Sequence, residues 1–156
     1  MILSEYLKKS NIIIGSQSKT RWDLIQEMLD LAVKNRDVKD EDREAVKKAL
    51  FEREKSMSTG IGKGVAIPHC TSDRVEDIII VLALCENGID FDAIDNQPVK
   101  ISILLLVAKN KLTQHIKTLA NIARIMNNDA IRDELILQKT ADTVLKTIKK
   151  YEAAKK

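Results

Sequence analysis

Two long, predominantly apolar runs stand out in the pattern of hydrophobic and polar positions along the chain, at 77–85 and 101–108. Runs of this length and β-branched content are typical of strands that are buried on both faces of a sheet. Shorter apolar runs at 11–15 and 65–68 predict two further strands. Strands of this kind need a covering layer on each side, and the other segments have helical spacing. The pattern therefore predicts an α/β fold in which a mixed β-sheet is sandwiched by helices.

Apolar residues at helical spacing predict helices in the remaining segments. The stripe that contains Trp22, Ile25 and Met28 is the most regular. Farther along the chain, Leu112 and His115 fall on, or at the margin of, a face that is expected to be buried. Polar residues ahead of several segments are expected to cap the free amide groups of the first turn. The helices are expected within 1–10, after Ser18, at 41–55 capped by Asp40 or Asp42, at 114–127 capped by Thr113, up to Leu137 capped by Asn128 or Asp129, and at 141–150 capped by Thr140.

Polar and glycine-containing stretches are expected to separate these elements. Residues 71–76 are predicted as a polar loop, and the Glu-Asn-Gly sequence at 86–88 is predicted to end the strand before it. Residues 90–98 contain the aspartate, asparagine and proline that are typical of turns. The sequence has no internal repeat and no low-complexity linker, so we expect one domain at 1–150, followed by a lysine-rich, solvated tail at 151–156.

Composition narrows the classes of function. The 156 residues are 44% hydrophobic and 31% charged, which is typical of a globular domain. An aromatic share of 3% and a net charge of +3 without a basic block disfavour nucleic-acid binding. No apolar run approaches the roughly 20 residues of a membrane helix and the N-terminus lacks a signal-peptide core, so we expect a cytoplasmic protein without membrane insertion. Two cysteines in unrelated contexts indicate neither a disulfide framework nor a four-ligand metal site.

Residues 58–70, here called the His69 segment, read STGIGKGVAIPHC and concentrate the residues that carry chemistry. Their alternating glycines do not match a dinucleotide fingerprint, which opens a helix, or a phosphate loop, which needs Ser or Thr after Lys63. We therefore expect no nucleotide and no other cofactor. Pro68 restricts Ile67 to extended conformations and removes an amide donor, so the chain enters His69 with little freedom. The segment is predicted to aim an imidazole.

The two histidines, His69 and His115, lie far apart in the sequence and lack a paired-ligand motif, which argues against a metal site. Adjacent residues on an extended chain point to opposite sides, so Cys70 is not expected to form a nucleophile pair with His69. The remaining chemistry is attack on phosphorus by a neutral imidazole, which needs no separate general base.

Donors for a phosphoryl group lie close to the His69 segment or within it. The hydroxyls of Ser58 and Thr59 and the guanidinium of Arg53 are candidates for binding phosphoryl oxygens. Arg53 also falls in the last turn of the helix predicted at 41–55, where the helix dipole alone favours a cation. The spacing leaves both interpretations of Arg53 open.

These motifs resemble the enzyme IIA components of the phosphoenolpyruvate-dependent sugar phosphotransferase system, type 2, which include fructose, mannitol and nitrogen-regulatory members. The resemblance rests on Glu54, GKGVAIPH at 62–69, FDAIDNQPV at 91–99 and QHIKTL at 114–119. It implies the type 2 enzyme IIA fold and a phosphoryl carrier in which His69 receives phosphate from the phosphocarrier protein HPr or its nitrogen-branch counterpart. Arg53 and His115 match the family's phosphate-stabilising arginine and second active-site histidine.

The resemblance leaves two functional branches open. Fructose-type members pass phosphate to a cysteine of a IIB component during sugar uptake, whereas nitrogen-regulatory members bind target proteins according to their phosphorylation state. Lys63 stands where mannitol-type relatives often have an acidic residue. This favours the fructose and nitrogen-regulatory branches over the mannitol branch. The glycines of the His69 segment are then expected to form a close-packed backbone wall around a transient phosphate. Cys70 stands where glycine is usual, which raises the question of sensitivity to thiol oxidation.

Overall fold

A mixed β-sheet forms the centre of the structure, a computed structural model that describes residues 3–154. The strands are β1 (Leu7–Ile13), β2 (Gly60–Gly62), β3 (Val65–Ala66), β4 (His69–Ser72), β5 (Ile78–Ile89) and β6 (Val99–Ala108). Within the described residues they form one sheet of order β1-β5-β6-β3-β2, and β4 also pairs with β6. β5 and β6 are antiparallel, β1 is parallel to β5, and β3 and β4 are parallel to β6.

Helices cover both faces of this sheet, which confirms the predicted α/β sandwich. They are α1 (Leu3–Tyr6), α2 (Arg21–Lys34), α3 (Arg43–Ser56), α4 (Leu112–Met126), α5 (Asp129–Leu135) and α6 (Ala141–Ala154). On one face, α2 and α3 contribute Leu29 and Leu50 to a buried cluster. On the other face, α4 and α6 contribute Ile122 and Ile148 to a second cluster, which α1 and α5 complete. Side chains of β5 and β6 enter both clusters, so these two strands are buried on both faces, as predicted.

One predicted loop is shorter than expected and one predicted strand end is wrong, because the strands extend further. The stretch at 71–76 begins as strand, since β4 pairs with β6 up to Ser72. The stretch at 86–88 does not end β5, which continues to Ile89 and pairs there with Val99 after an irregularity in register. The glycine in that stretch has a φ of +75°, which lets the strand bend without ending. Pairing along β6 thus overrides the local turn signals.

Two of the predicted helix caps are confirmed. The side chain of Asn128 accepts a hydrogen bond from the amide of Ala130 at the start of α5, at 2.8 Å. The hydroxyl of Thr140 accepts one from the amide of Thr143 at the start of α6, at 3.2 Å. Both side chains satisfy amide groups that have no partner within their own helix.

Other helix starts differ from the prediction. The helix expected after Ser18 begins at Arg21 and is capped by Thr20, while the Ser18 hydroxyl donates to Glu27. Asp42 does not cap α3 with its side chain; its carboxylate pairs with Arg74 instead, and a 3₁₀ turn at Asp40–Asp42 leads into the helix. Thr113 lies inside α4, which begins at Leu112 without a side-chain cap.

The ends of the chain also differ in detail. α1 occupies only part of the helix expected within 1–10, and β1 begins at Leu7, earlier than the strand predicted at 11–15. α6 continues to Ala154. Residues 1–2 and 155–156, which belong to the predicted first helix and tail, lie outside the described residues. Within 3–154, no helix is both long and apolar enough to cross a membrane, and no three His, Cys, Asp or Glu side chains are grouped to hold a metal ion.

Candidate active site

His69 is the first residue of β4, directly after Pro68. Its position is fixed by pairing with β6, where His69 lies opposite Leu105 and the Leu105 amide donates to the Pro68 carbonyl at 2.9 Å. Cys70, the next residue, points into the core beneath α2 and α3. The alternation of an extended chain therefore leaves the partly buried His69 ring on the opposite side from Cys70, as predicted.

One hydrogen bond sets the protonation of the His69 ring. Its Nδ1 atom lies 2.7 Å from the carbonyl oxygen of Ile67. A carbonyl oxygen can only accept, so Nδ1 carries the proton in the neutral ring. Nε2 is then the nitrogen with a free lone pair, which is the atom that can act as a nucleophile.

An open cavity of about 480 Å³ brings together residues from α3, β4 and α4. Arg53, His69 and His115 line it, together with Glu52 and Thr71. The ring centroids of His69 and His115 are 5.5 Å apart, and the ring planes are inclined by 47°. The fold thus places two histidines that are distant in sequence side by side.

The electrostatics of this cavity keep both imidazoles neutral. Burial lowers the pKa of His69, the bond to the Ile67 carbonyl opposes this, and the positive charge of Arg53 and the nearby His115 lower the pKa further. Burial also lowers the pKa of His115. Because the ordinary value is 6.5, both rings are uncharged at neutral pH, and the lone pair of His69 is available.

The position of Arg53 is compatible with both interpretations that the sequence left open. It lies in the last turn of α3, and its Nη1 atom donates to the carbonyl of Met57 at 2.7 Å, which closes the end of the helix. It also lines the cavity, and its charge acts on the His69 ring. The guanidinium has further donors beyond the one that binds Met57, and these can bind an anion.

Ser58 and Thr59 are not brought into the cavity. The Ser58 hydroxyl donates to the carbonyl of Phe91, and the Thr59 hydroxyl donates to the carboxylate of Glu54 at 2.6 Å. Thr59 is also buried. Because both hydroxyl protons are already donated inside the protein, we do not retain the expectation that these residues bind phosphate.

The glycines of the His69 segment serve packing and not the cavity. A Cβ atom on Gly60 would lie only 2.9 Å from the Cβ atom of Ala93, and one on Gly62 would lie 3.2 Å from the Asp95 carboxylate. These close approaches are to the loop between β5 and β6. The interpretation of the glycines as a wall around phosphate is therefore wrong, because the space that they leave is filled by that loop.

The thiol of Cys70 is buried, and burial raises its pKa to about 12. Because the thiolate is the reactive form, this environment disfavours oxidation at neutral pH. The departure from the usual glycine at this position is accommodated as a small core residue.

Exposed apolar side chains next to the cavity are the feature that the sequence pattern missed. Met57, Leu112 and Ile116 are 70%, 58% and 61% exposed. The prediction that Leu112 faces the core is wrong, since the buried stripe of α4 begins only at Thr118. The available signal was the pair of apolar residues that flanks His115 at i−3 and i+1, one turn ahead of the buried stripe.

The family model of the "Phosphoenolpyruvate-dependent sugar phosphotransferase system, EIIA 2" matches residues 5–151. The chain belongs to this family. The fructose-specific EIIA component of Haloferax volcanii is 35% identical over 125 residues, which cover 80% of each chain. A nitrogen regulatory protein of Bradyrhizobium diazoefficiens is 34% identical over 76% of this chain and 78% of its own. The fructose-specific EIIABC component of Bacillus subtilis is 28% identical over 97% of this chain, which spans 24% of that longer protein.

Solved enzyme IIA structures have the same fold. The nitrogen regulatory protein IIA-Ntr from Neisseria meningitidis superposes with a TM-score of 0.85 at 29% identity, over 94% of this chain and 98% of that one. The mannitol enzyme IIA of Escherichia coli, solved in complex with its phosphorylated enzyme IIB, superposes with a TM-score of 0.77 at 23% identity, over 91% of this chain and 97% of that one. At that identity the second comparison supports the fold alone.

Proposed function

We propose that this chain is a phosphoryl carrier that accepts phosphate on Nε2 of His69 from an HPr-type phosphocarrier protein or its nitrogen-branch counterpart. The observation that carries the proposal is the hydrogen bond from Nδ1 of His69 to the Ile67 carbonyl. It leaves the Nε2 lone pair free in a cavity that Arg53 and His115 also line. Membership of the enzyme IIA family supports the same chemistry.

In the proposed step, a bond forms between Nε2 of His69 and phosphorus while the phosphorus–nitrogen bond of the donor breaks. The electron pair of the broken bond remains on the donor imidazole. Arg53 neutralises charge on the three transferring oxygens, which is the main requirement of a loose phosphoryl transition state. The proton on Nδ1 of His69 stays in its bond to Ile67 throughout, and His115 supplies a second neutral imidazole beside the phosphate.

The docking surface for the partner is formed by the exposed apolar side chains beside the cavity. Leu112 lines the cavity, Ile116 follows His115 on α4, and Met57 accepts the hydrogen bond of Arg53 through its carbonyl. Apolar side chains that surround a reactive group exclude water when a partner binds. A phosphocarrier that docks here would bring its phosphohistidine to His69, and we propose that this transfer takes place in the cytoplasm.

Two destinations for the phosphate have specific support. Similarity to a fructose-specific EIIA component supports transfer to a cysteine of a IIB component during sugar uptake. Similarity to nitrogen regulatory proteins, including one superposing with a TM-score of 0.85, supports a regulator that binds target proteins according to its phosphorylation state. The first is our leading proposal, and the second is the alternative.

Reconstitution tests the acceptance of phosphate. The protein is incubated with phosphoenolpyruvate, enzyme I and HPr, and acid-labile phosphate is mapped by mass spectrometry. We expect one phosphate on His69 and none on His69→Ala, while His115→Ala still accepts phosphate and is impaired in passing it on. Unlabelled His69 with active enzyme I and HPr, or a fully labelled His69→Ala variant, would refute the proposal.

The destination is tested separately. Phosphorylated protein is mixed with a fructose-type IIB domain, and the loss of phosphohistidine and gain of phosphocysteine are followed over time. Transfer within seconds supports the uptake branch. Absence of transfer, together with different binding partners for His69→Ala and the phosphate-mimicking His69→Asp, supports the regulatory branch.

A further inference from the structure

A buried carboxylate lies at the end of α3, directly after Arg53. Glu54 is 1% exposed, and its two oxygens accept hydrogen bonds from the amide of Thr59 at 2.7 Å and from the Thr59 hydroxyl at 2.6 Å. Arg21 reaches toward the same carboxylate, with Nη1 at 3.9 Å from Oε2. Burial of a carboxylate is costly unless donors surround it, so these contacts hold Thr59 firmly to the end of the helix.

One consequence of this attachment concerns Arg53. Residues 57–59 form the link between α3 and the strands of the His69 segment, and Glu54 holds the last residue of the link. The first residue of the same link, Met57, accepts the hydrogen bond from Nη1 of Arg53 through its carbonyl. The direction of the Arg53 side chain therefore depends on where Glu54 places the link.

The other consequence concerns His69. The carbonyl of Thr59 accepts a hydrogen bond from the amide of Ile67 at 3.0 Å. The carbonyl of Ile67 in turn accepts the hydrogen bond from Nδ1 of His69 at 2.7 Å. Thr59 thus connects the Glu54 carboxylate, through its own backbone and hydroxyl, to the peptide that orients the nucleophilic ring.

We infer that Glu54 is a positioning residue for phosphoryl transfer. Glu54 holds the side chains of Arg53 and His69 in their relative positions through the single residue Thr59. The inference rests on the proposed function of His69. Glu54 does not line the cavity and does not touch the phosphate; it acts through the hydrogen bonds described above. An apolar side chain fills a buried site at lower cost in desolvation, so the particular contribution of the carboxylate is to fix the position of Thr59.

The test compares full-length variants for transfer of phosphate from phospho-HPr. Glu54→Leu removes both acceptors, Thr59→Val removes the hydroxyl donor, and Thr59→Ser retains it. Because a displacement of about 1 Å costs roughly 10²-fold in rate, we expect Glu54→Leu to slow transfer by about 10- to 100-fold, Thr59→Val to slow it less, and Thr59→Ser to remain near wild type. Val46→Ala is the matched control, since Val46 is buried in the same helix about three turns before the link.

The second readout is the tautomer of His69, measured by ¹⁵N NMR of the ring without any phosphate donor. We expect the Nδ1–H tautomer in wild type and in Val46→Ala, and a mixture of the two tautomers in Glu54→Leu. A folded Glu54→Leu variant with wild-type tautomer and a transfer rate within about twofold of wild type would overturn the inference, as would equal slowing by Val46→Ala. If wild-type protein accepts no phosphate, the proposed function fails, and the tautomer comparison still decides whether Glu54 orients the ring.

Discussion

At the scale of single residues, the Nδ1–Ile67 bond and the neutral state of His69 are the properties on which the proposed chemistry depends. The bond leaves the free lone pair on Nε2, and the lowered pKa keeps Nε2 unprotonated at neutral pH. Burial, the dominant cause, and the charge of Arg53 both act against the imidazolium form. A nitrogen that binds a proton cannot attack phosphorus, so in the proposed function the pKa of His69 sets the acid limit of phosphoryl transfer.

This assignment predicts a pH dependence. Because the pKa of His69 is below its ordinary value, we expect the rate of His69 phosphorylation to fall to half its plateau only at a pH below about 6.5. Below about pH 6.5 the unfolded chain binds protons that the folded chain does not. The free energy of unfolding should therefore also decrease as the pH is lowered. An NMR titration of the ring measures the pKa directly; a value at or above 6.5 would contradict the assignment.

The charge of Arg53 gives a second prediction. Arg53→Ala should slow phosphorylation of His69 by roughly 10²-fold, the scale for loss of one donor to a transition-state oxyanion. Arg53→Lys should recover only part of the rate, because a lysine retains the charge and loses the planar fork of donors. Thermal unfolding of both variants is the control for loss of the Met57 contact at the helix end. A rate within about twofold of wild type in Arg53→Ala would restrict Arg53 to that structural role.

At the scale of the elements, β6 is the strand on which the site depends, since it pairs with β3, β4 and β5. Its apolar sequence made it predictable, as it did for β5 and for the amphipathic helix α2. The short strands were less predictable, because β4 continues through polar residues that are held only by pairing with β6. The cap of α3 was mispredicted for a similar reason: Asp42 pairs with Arg74, a partner that is distant in sequence.

One polar group in β6 gives a prediction about stability. The hydroxyl of Ser102 is buried in the sheet and has no hydrogen-bond partner within residues 3–154. We expect Ser102→Ala to raise the free energy of unfolding by about 1 kcal/mol, because it removes an unsatisfied polar group from the core. Ser72→Ala is the control and should lower stability, since the Ser72 hydroxyl accepts a bond from the amide of Arg74 at 3.0 Å. Urea unfolding measures the free energy of unfolding of both variants and of wild type. A Ser102→Ala variant that is less stable than wild type would contradict the expectation.

At the scale of the whole molecule, the fold brings α3, β4 and α4 to one cavity. The sequence alone could not predict that His115 lies beside His69, because nothing local relates the strand β4, which carries His69, to the helix α4, which carries His115. The resemblance to the enzyme IIA family supplied that expectation, and the ring separation of 5.5 Å agrees with it. Neither the sequence pattern nor the family resemblance indicated that the hydroxyls of Ser58 and Thr59 turn inward. Their partners, Phe91 and Glu54, become neighbours only in the folded chain.

The apolar surface beside the cavity gives a prediction about partner binding. Ile116→Asp should raise the KM for phospho-HPr by about tenfold, the scale for one apolar interface residue, while leaving kcat and thermal stability near wild type. Leu137→Asp is the matched control, because Leu137 is exposed to a similar extent, 70% against 61% for Ile116, and lies at a separate cavity beside Gly15 and Leu84. An equal effect of both variants, or none from Ile116→Asp, would place the docking surface elsewhere.

The most direct test of the central claim is the position of the phosphorus atom. Uniformly ¹⁵N-labelled protein is phosphorylated with phosphoenolpyruvate, enzyme I and HPr, and the histidine rings are examined by NMR for coupling between phosphorus and nitrogen. We predict coupling to Nε2 of His69, with the proton still on Nδ1, where the Ile67 carbonyl accepts its hydrogen bond. Phosphate on Nδ1 of His69, on His115 or on any other residue would contradict the account.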